Sequence, residues 1–408
     1  MSTNRTYDLV LWGATGFTGR LVAEYLYRTY GSTGALRWAM AGRNREKLER
    51  IRAEVADESV ALILADSLDR PSLDALAQQT RVVCTTVGPY AKYGSELVAA
   101  CVAQRTDYCD LTGEVQWIRR MIDEHHEAAA AAGCRIVHTC GFDSIPSDVG
   151  VFFFQQKVQQ FLGEYCQWVK YRLRAARGGF SGGTYASLSN VLVEAEADPS
   201  IYQVLLNPYA FNPPGERQGP DQGDLRKVVY DSDAQAWIGP FIMAPINTKV
   251  VRRSHALRGY PYGKDFRYDE AIMTGKGLSG RMKGMAVMAG TGAMMAAKPN
   301  SWLKKGLDYL LPAPGEGPSK KERETGFFNI TLLGKLRDGT LIKGKVTGDR
   351  DPGYGSTSKM LGESAVCLAL DRELTPEVAG VLTPSVAMGE ALLTRLGERA
   401  GLHFMIDL

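Results

Sequence analysis

Three glycines near the amino terminus have the spacing of a phosphate-binding loop. Gly13, Gly16 and Gly19 follow an apolar run, and a helical pattern begins among them. The first glycine permits a tight turn, the second lets the backbone approach a pyrophosphate, and the third lets the helix pack closely on the sheet. The free N–H groups and the positive dipole end of that helix suit phosphates. The order of strand, loop and helix predicts a dinucleotide site, although the GxxGxxG spacing departs from the commoner GxGxxG. The loop residues predicted to contact the cofactor are Gly13, Thr15, Gly16, Phe17, Thr18 and Gly19.

The end of the second apolar run carries a cation where NAD-preferring sites place an acidic residue. Arg43 stands there, followed by Asn44, and Lys47 lies one helical turn further on. Two cations near the ribose suit a 2′-phosphate, which favours NADPH over NADH. The alternative is that these residues only begin a solvated, charged helix. Further contacts are predicted at the ends of the third and fourth strands, because ligands of such sheets bind at the carboxyl ends of the strands. These residues are Asp66, Val87, Gly88 and Pro89.

Four residues are candidates for chemistry at the nicotinamide: Tyr90, Asp143, Ser144 and Tyr185. Each has a structural alternative. Tyr90 can equally wall the cofactor pocket, and Asp143 is expected to cap the helix that follows it. Tyr185 follows the glycine-containing segment Ser181–Thr184, which can be a simple turn. His138 is expected to be packed rather than catalytic, and no Cys/His grouping has the spacing of a zinc site, so no metal is predicted.

The elements that must position these residues alternate between strand and helix over the first third of the chain. Such repeated βα units predict a parallel, doubly wound sheet. The predicted strands are residues 8–12, 38–41, 60–65, 82–87, a short one at 108, and 135–138. The predicted helices are residues 17–30, 44–56, 71–79, 94–104 and 116–132.

The pattern changes near residue 150. Residues 165–173 and 326–347 have the alternation of antiparallel strands, and Asp338 with Gly339 suits a hairpin turn. Between them we predict a long irregular stretch. The carboxyl-terminal part, 356–401, is predicted to form two helices joined around 375–380, before a short strand-like tail at 403–406. We therefore expect an α/β protein with three parts: a Rossmann domain over 1–150, an α+β substrate and dimerisation domain over 151–355, and helices over 356–408.

Composition excludes several classes of protein. The net charge of +3 over 408 residues is too small to indicate nucleic-acid binding. Seven scattered cysteines and the lack of a signal-peptide pattern predict a reducing compartment, the cytoplasm. The apolar stretch Met285 to Ala297 is too short to span a bilayer, which requires about 20 residues.

Seven segments that span nearly the whole chain carry a resemblance to a known family: residues 13–19, 88–94, 108–114, 141–148, 181–184, 351–355 and 359–363. In these segments the chain resembles the saccharopine dehydrogenase-like oxidoreductases, in particular the branch that includes the mycobacterial trans-acting enoyl reductases. The resemblance implies a Rossmann domain, an inserted α+β domain, and carboxyl-terminal helices that return to pack on the Rossmann domain. It also implies dependence on NADPH and a homodimer through the sheet of the second domain. The enoyl-reductase relatives reduce a double bond in an acyl chain on a polyketide synthase that lacks its own working reductase.

Reduction of a conjugated C=C bond requires hydride at the β-carbon, a polarised carbonyl oxygen and a proton at the α-carbon. The methionine- and glycine-rich stretch Met282 to Met295 can line an acyl tunnel as a lid, or meet a lipid surface or a carrier protein. Basic residues lie around this stretch: Arg281, Lys283, Lys298, Lys304 and Lys305. The structural alternative is a buried core helix.

Two other functions stay open from the sequence. The first is an imine or carbonyl reductase acting on amino-acid-type substrates, in which Arg172, Arg174 and Arg177 would clamp substrate carboxylates. The second is an NADPH-binding, lipid-associated protein without turnover. This last function predicts that residues 285–297 are exposed at the surface, whereas the enoyl reductase predicts that they cover the nicotinamide.

Overall fold

The computed structural model describes residues 5–178, 182–296 and 317–407, which form two seven-stranded sheets with packed helices. All strand pairs of the first sheet are parallel, and its strand order is β13-β6-β5-β4-β1-β2-β3. Its strands are β1 (Tyr7–Trp12), β2 (Trp38–Gly42), β3 (Ala61–Leu64), β4 (Thr80–Thr85), β5 (Asp107–Cys109), β6 (Arg135–Val137) and β13 (Gly380–Leu382). The predicted doubly wound parallel sheet is confirmed.

Helices connect these strands in the predicted order. They are α1 (Phe17–Tyr30), α2 (Arg45–Val55), α3 (Arg70–Gln78), α4 (Tyr90–Tyr93), α5 (Ser95–Ala103) and α6 (Val115–Ala132). Local sequence explains their ends: the Asn44 side chain accepts the Lys47 N–H at 2.8 Å, and Gly133 closes α6 with a positive φ of 74°. Central strands such as β1 are buried on both faces, as an apolar run in a covered parallel sheet should be.

The second sheet is mixed, with the order β14-β12-β11-β7-β10-β9-β8. Its strands are β7 (Trp168–Arg177), β8 (Val229–Asp231), β9 (Ala236–Gly239), β10 (Arg267–Gly275), β11 (Phe327–Lys335), β12 (Leu341–Gly348) and β14 (Leu402–Asp407). Only β7 and β10 pair in parallel in this part of the described chain. The predicted hairpin is confirmed: Leu336 donates its N–H to the Thr340 carbonyl at 3.0 Å, and Gly339 takes a φ of 91°.

The stretch predicted to be irregular holds three of these strands and several helices, so that prediction is wrong. The helices between β6 and β11 are α7 (Ile145–Leu162), α8 (Gly182–Ala197), α9 (Ser200–Leu206), α10 (Ala244–Leu257), α11 (Gly277–Ala296) and α12 (Lys320–Thr325). Helix α10 is buried on nearly every side, and even its charged residues Lys249 and Arg253 are buried. The usual division into an apolar face and a solvated polar face therefore does not mark this helix in the sequence. The expected boundary at residue 150 falls inside α7.

The carboxyl-terminal segment packs on the first sheet, as predicted. A π-helical turn (Pro352–Ser356) leads into α13 (Thr357–Leu370), and α14 (Pro384–Glu398) follows. Glu363 of α13 is fully buried and accepts the hydroxyl groups of Tyr25 and Tyr30, each at 2.6 Å. The joint between the helices contains a strand, β13, which pairs with β6. The tail β14 pairs with β12 of the second sheet, so this segment belongs to both sheets.

Within the described ranges, no helix combines the length and the apolar character needed to cross a membrane.

Candidate cofactor and catalytic site

The glycine loop joins the carboxyl ends of β1, β2 and β4. Gly13 donates its N–H to the Ala41 carbonyl at 3.0 Å, and a Cβ on Gly13 would lie 2.6 Å from Val87 Cγ2. A Cβ on Gly19 would lie 2.1 Å from the Gly13 carbonyl oxygen. Glycine is required at Gly13 because its φ is 89°, which other residues rarely adopt, and at Gly19 because the close neighbour is a backbone carbonyl.

The residues of this loop fit a pyrophosphate. Gly16 is exposed, and the nearest protein atom to a Cβ there is the Gly13 carbonyl oxygen at 3.4 Å. Helix α1 begins after Gly16 without a side-chain cap, so its first N–H groups can bind an anion. Thr15, Phe17 and Thr18 are half-buried beside Gly16.

The ring of Phe17 links this loop to the carboxyl-terminal segment. It packs edge-on against Tyr354 with ring centroids 5.2 Å apart, and the Arg323 guanidinium lies 5.5 Å from its centroid. The side chain of Phe17 is therefore engaged in packing, which leaves its backbone N–H as the group able to contact a cofactor.

The four residues predicted near the adenosine differ in what their side chains do. Arg43 and Lys47 are exposed, and neither forms an ion pair in the described ranges. Asn44 is exposed too, but its side chain caps α2. The Asp66 carboxylate accepts the Leu68 N–H at 2.9 Å and so stabilises a turn. The side chains of Arg43 and Lys47 are therefore the cations available for a 2′-phosphate.

The segment after β4 lies beside the glycine loop, as predicted. Thr86 donates its hydroxyl to the Gly13 carbonyl at 3.2 Å, Val87 and Pro89 are half-buried, and Gly88 is exposed. A Cβ on Gly88 would lie 3.6 Å from Ser187 Oγ, so α8 of the other part of the chain approaches this segment.

Glu114 secures this contact, a role that the sequence did not reveal. Its buried carboxylate accepts the N–H groups of Tyr90 at 2.8 Å and Ala91 at 2.9 Å, and the Ser187 hydroxyl at 2.9 Å. Burial raises the pKa of Glu114. Glu114 therefore joins α4 and the start of α6 to α8.

Tyr90 lies in the wall of the site. It is only 3% exposed, its ring centroid lies 5.5 Å from that of Trp117, and its hydroxyl donates to the Thr85 carbonyl at 3.3 Å. Burial raises the pKa of Tyr90 well above its ordinary value. This placement favours the walling role over proton donation.

Asp143 lies in the turn between β6 and α7, at the carboxyl edge of the first sheet. The expectation that it caps α7 is wrong, because the N-cap is Ser144 and no side chain caps that helix. In the described ranges the half-buried Asp143 carboxyl forms no hydrogen bond or ion pair. Burial, with a smaller contribution from the charge of Asp110, raises its pKa to about 7. A group with this pKa can hold or release a proton at neutral pH.

Ser144 and Tyr185 differ in what can be said of them. Ser144 is fully buried and donates its hydroxyl to Asn247 Oδ1 at 3.1 Å. The side chain of Tyr185, on α8, lies outside the described residues, and so does Ser181. Asn247 was not anticipated, since nothing in the sequence places α10 beside this turn.

Asp110 holds the ends of β5 and β6 together. Its carboxylate accepts the Thr112 and Thr139 N–H groups, each at 3.1 Å, and lies 2.7 Å from His138 Nδ1. His138 is 3% exposed and packs edge-on against Trp117 at 5.0 Å, so the prediction that it is packed is confirmed.

The clamp proposed for an amino-acid substrate is not available at Arg172. This side chain is buried and bonded to Asp231 at 2.8 Å and to Asp269 at 2.5 Å. The Arg172 guanidinium is therefore already paired with carboxylates of the protein and does not offer a bidentate contact to a substrate. Arg174 and Arg177 are exposed.

Helix α11 contains most of the methionine-rich stretch and lies at the surface on β9 and β10. It packs through glycines: a Cβ on Gly284 would lie 2.7 Å from Val228 Cγ1. Leu278, Met282 and Met285 are 72%, 63% and 51% exposed, which contradicts the alternative that this stretch is a buried core helix. The side chain of Met295 lies outside the described residues, as do Lys298, Lys304 and Lys305.

Fold and site together define an NADP(H)-binding oxidoreductase of the Rossmann type. Residues 9–137 match the family profile described as the saccharopine dehydrogenase NADP binding domain. A Mycobacterium tuberculosis protein provisionally named a trans-acting enoyl reductase is 40% identical over 408 residues, covering 97% of this chain and 96% of that protein. A trans-acting enoyl reductase of Mycobacterium leprae is 37% identical, with 96% of each chain covered. The chain belongs to the saccharopine dehydrogenase-like family that contains these proteins.

A solved structure agrees with the fold. Apo saccharopine dehydrogenase (L-Glu forming) from Saccharomyces cerevisiae superimposes with a TM-score of 0.53 at 13% identity, over 98% of this chain and 99% of that one. At this identity the likeness concerns the fold alone.

Proposed function

We propose that this protein is an NADPH-dependent enoyl reductase that acts on an acyl chain carried as a thioester by a polyketide synthase. Two relatives that align over nearly the whole chain carry the name trans-acting enoyl reductase. The observation that carries the chemistry is the Asp143 carboxyl, which has no partner among described residues and whose pKa is raised to about 7. The engagement of Arg172 by two aspartates argues against the imine reductase.

The reaction adds a hydride and a proton across the C=C bond. The hydride for the β-carbon would come from NADPH when it is bound. In the proposal, protonated Asp143 gives its proton to the α-carbon as the enolate collapses, and the carboxylate left behind is reprotonated from solvent. Arg43 and Lys47 hold the 2′-phosphate, and the free N–H groups at the start of α1 hold the pyrophosphate.

The test is NADPH oxidation by purified protein with a long-chain 2-enoyl thioester on a carrier protein, beside a panel of amino-acid-derived imines. We expect turnover of the enoyl thioester alone. Asp143→Asn should lower kcat by about 100-fold or more while leaving the Kd for NADPH unchanged, because general acids contribute roughly this much. Asp338→Asn, in the exposed hairpin, is the matched control. Turnover of imines alone overturns the proposal, and tight NADPH binding without any turnover points to the binding protein instead.

We also propose that α11 contacts lipid at the periphery of a membrane. Leu278, Met282 and Met285 form one exposed apolar stripe at helical spacing, and exposed Arg281 and Lys283 lie on the same helix. This exposure is what the lipid-associated function predicts, and it runs against the expectation that an enoyl reductase uses this stretch to cover the nicotinamide.

Vesicle sedimentation tests this contact. Binding to phosphatidylcholine vesicles that contain phosphatidylglycerol should exceed binding to pure phosphatidylcholine, because anionic headgroups attract the two cations. Replacing Met282 and Met285 by Ser should weaken binding, whereas Met405→Ser, an exposed methionine on β14, should not. Equal binding by all three proteins overturns the contact.

The remaining parts of the proposal are a cytoplasmic location and a homodimer through the second sheet. All seven cysteines are free and buried, which supports a reducing compartment. The homodimer is supported by family resemblance, and sedimentation velocity of the purified protein tests it.

A further inference from the structure

A chain of buried hydrogen bonds joins the Asp143 turn to the second sheet. Ser144 donates its hydroxyl to Asn247 Oδ1 at 3.1 Å, and Asn247 Nδ2 donates to Glu270 Oε2 at 2.9 Å. The Tyr268 hydroxyl lies 2.7 Å from Glu270 Oε1. All four side chains are at most 2% exposed. The chain therefore runs from the start of α7 through α10 to β10 without contact with solvent.

Glu270 takes part in this chain without a cation. It forms no ion pair in the described ranges, and burial raises its pKa to about 8. At neutral pH the side chain is therefore mostly a carboxylic acid, in which one oxygen accepts and the other can donate. A carboxamide has the same pattern of one acceptor and one donor, so glutamine can replace this acid without breaking the chain. A residue without these groups leaves Asn247 and Tyr268 with buried, unsatisfied atoms.

The same turn is fixed from two other directions. Asp110 accepts the Thr139 N–H at 3.1 Å before the turn, and the Phe142 N–H donates to Thr357 Oγ1 at 2.9 Å within it. Asn247 fixes the far end through Ser144. Backbone N–H groups before Asp143 and the Ser144 side chain after it are thus held, while the Asp143 carboxyl has no partner among the described residues.

We propose that Asn247 and Glu270 are positioning residues that hold the Ser144 end of this turn and so keep the Asp143 carboxyl in its working position. The inference rests on the role proposed above for Asp143. Because Glu270 belongs to β10 and Asn247 to α10, this series of hydrogen bonds makes the position of the Asp143 carboxyl depend on the second sheet.

Three variants separate positioning from general support of the fold. Asn247→Ala removes the hydrogen bonds to Ser144 and to Glu270. Glu270→Ala removes the group that holds Asn247, and Glu270→Gln keeps a group that can hold it. Thr248→Ala is the matched control, because Thr248 is equally buried on α10 but bonds to Asp224 and Ala244 rather than to the turn.

Two readouts are measured on each protein. The first is kcat for the enoyl thioester together with the Kd for NADPH. The second is amide hydrogen exchange of a peptide covering residues 141–148, which does not depend on turnover. We expect Asn247→Ala and Glu270→Ala to lower kcat by about tenfold or more and to speed exchange in this peptide, with an unchanged Kd, since small displacements of a reacting group are costly.

Glu270→Gln should match the wild type in both readouts, and Thr248→Ala should leave kcat and exchange in the peptide unchanged. The proposal is overturned if Asn247→Ala exchanges like the wild type, or if Glu270→Gln is as damaging as Glu270→Ala. A wild-type protein that binds NADPH but turns over no thioester refutes the proposed function, and the exchange result then still decides whether the chain holds the turn.

Discussion

Replacement of Gly16 by alanine separates a cofactor contact from a requirement of the fold. The backbone at Gly16, with φ −79° and ψ 166°, is open to any residue, and an added Cβ meets no protein atom closer than 3.4 Å. As an N-cap, alanine is less favourable than glycine by about 1 kcal/mol or less. The variant should therefore fold, with a thermal midpoint close to that of the wild type.

The same methyl group stands where the pyrophosphate must approach the backbone. If it prevents two of the N–H groups of α1 from reaching phosphate oxygens, at about 1.5 kcal/mol for each bond to a charged group, the loss is about 3 kcal/mol. That corresponds to a Kd for NADPH raised by about 100-fold. Gly19→Ala is expected to disturb the conformation of the loop itself, because the added Cβ would lie 2.1 Å from the Gly13 carbonyl oxygen and the loop would have to move.

Fluorescence titration with NADPH and a thermal melt distinguish these outcomes. Gly290→Ala serves as the control, since a Cβ on Gly290 meets nothing within 4 Å and the residue lies in α11. A folded Gly16→Ala protein whose Kd for NADPH stays within about threefold of the wild type refutes the assignment of this loop, because the expected loss is far larger.

Three further predictions follow from the site and its support. Arg43→Ala should weaken NADPH binding by about tenfold and leave NADH binding unchanged, as isothermal titration with both cofactors would show; equal losses contradict the 2′-phosphate contact. If Asp143 is the proton donor, its protonated form is the active one, so kcat is full at low pH and falls as the pH rises through about 7. A profile that rises over this range instead excludes the acid role, and Asp143→Asn should abolish the transition. Glu363→Ala removes the buried acceptor shared by the Tyr25 and Tyr30 hydroxyls and Arg395 Nη1, so urea unfolding should show a loss of about 3 kcal/mol; a loss near zero would mean that α13 is held to α1 by apolar packing alone.

The glycine loop of the proposed cofactor site was predictable because its conformation depends on local backbone requirements. Gly13 and Gly19 are needed for a turn and for a helix start that lie within a few residues of each other, so their spacing in the sequence carries the information. The same holds for the Asn44 cap and the hairpin at Gly339. In each case the conformation is set by the residue itself and its near neighbours.

The surroundings of Asp143, the proposed proton donor, were predicted less well. Asp143 was expected to cap a helix, which its position before Ser144 suggested, yet the side chain is left without a partner among the described residues. Its raised pKa arises from burial beneath other elements and from Asp110, which is 33 positions earlier in the chain and meets it only in the folded protein.

The amino-acid sequence by itself determined the parallel sheet, the glycine loop, the cation at position 43 and the family, because each can be recognised from short periodic or motif-like segments. Only the tertiary structure decided that β13 joins the first sheet and β14 the second, that α11 is exposed, and that Asn247 and Glu270 reach the Asp143 turn. These features are contacts between segments far apart in the chain. A buried polar group such as Glu270 has no periodicity that marks it, so its role appears only when its hydrogen-bond partners are known.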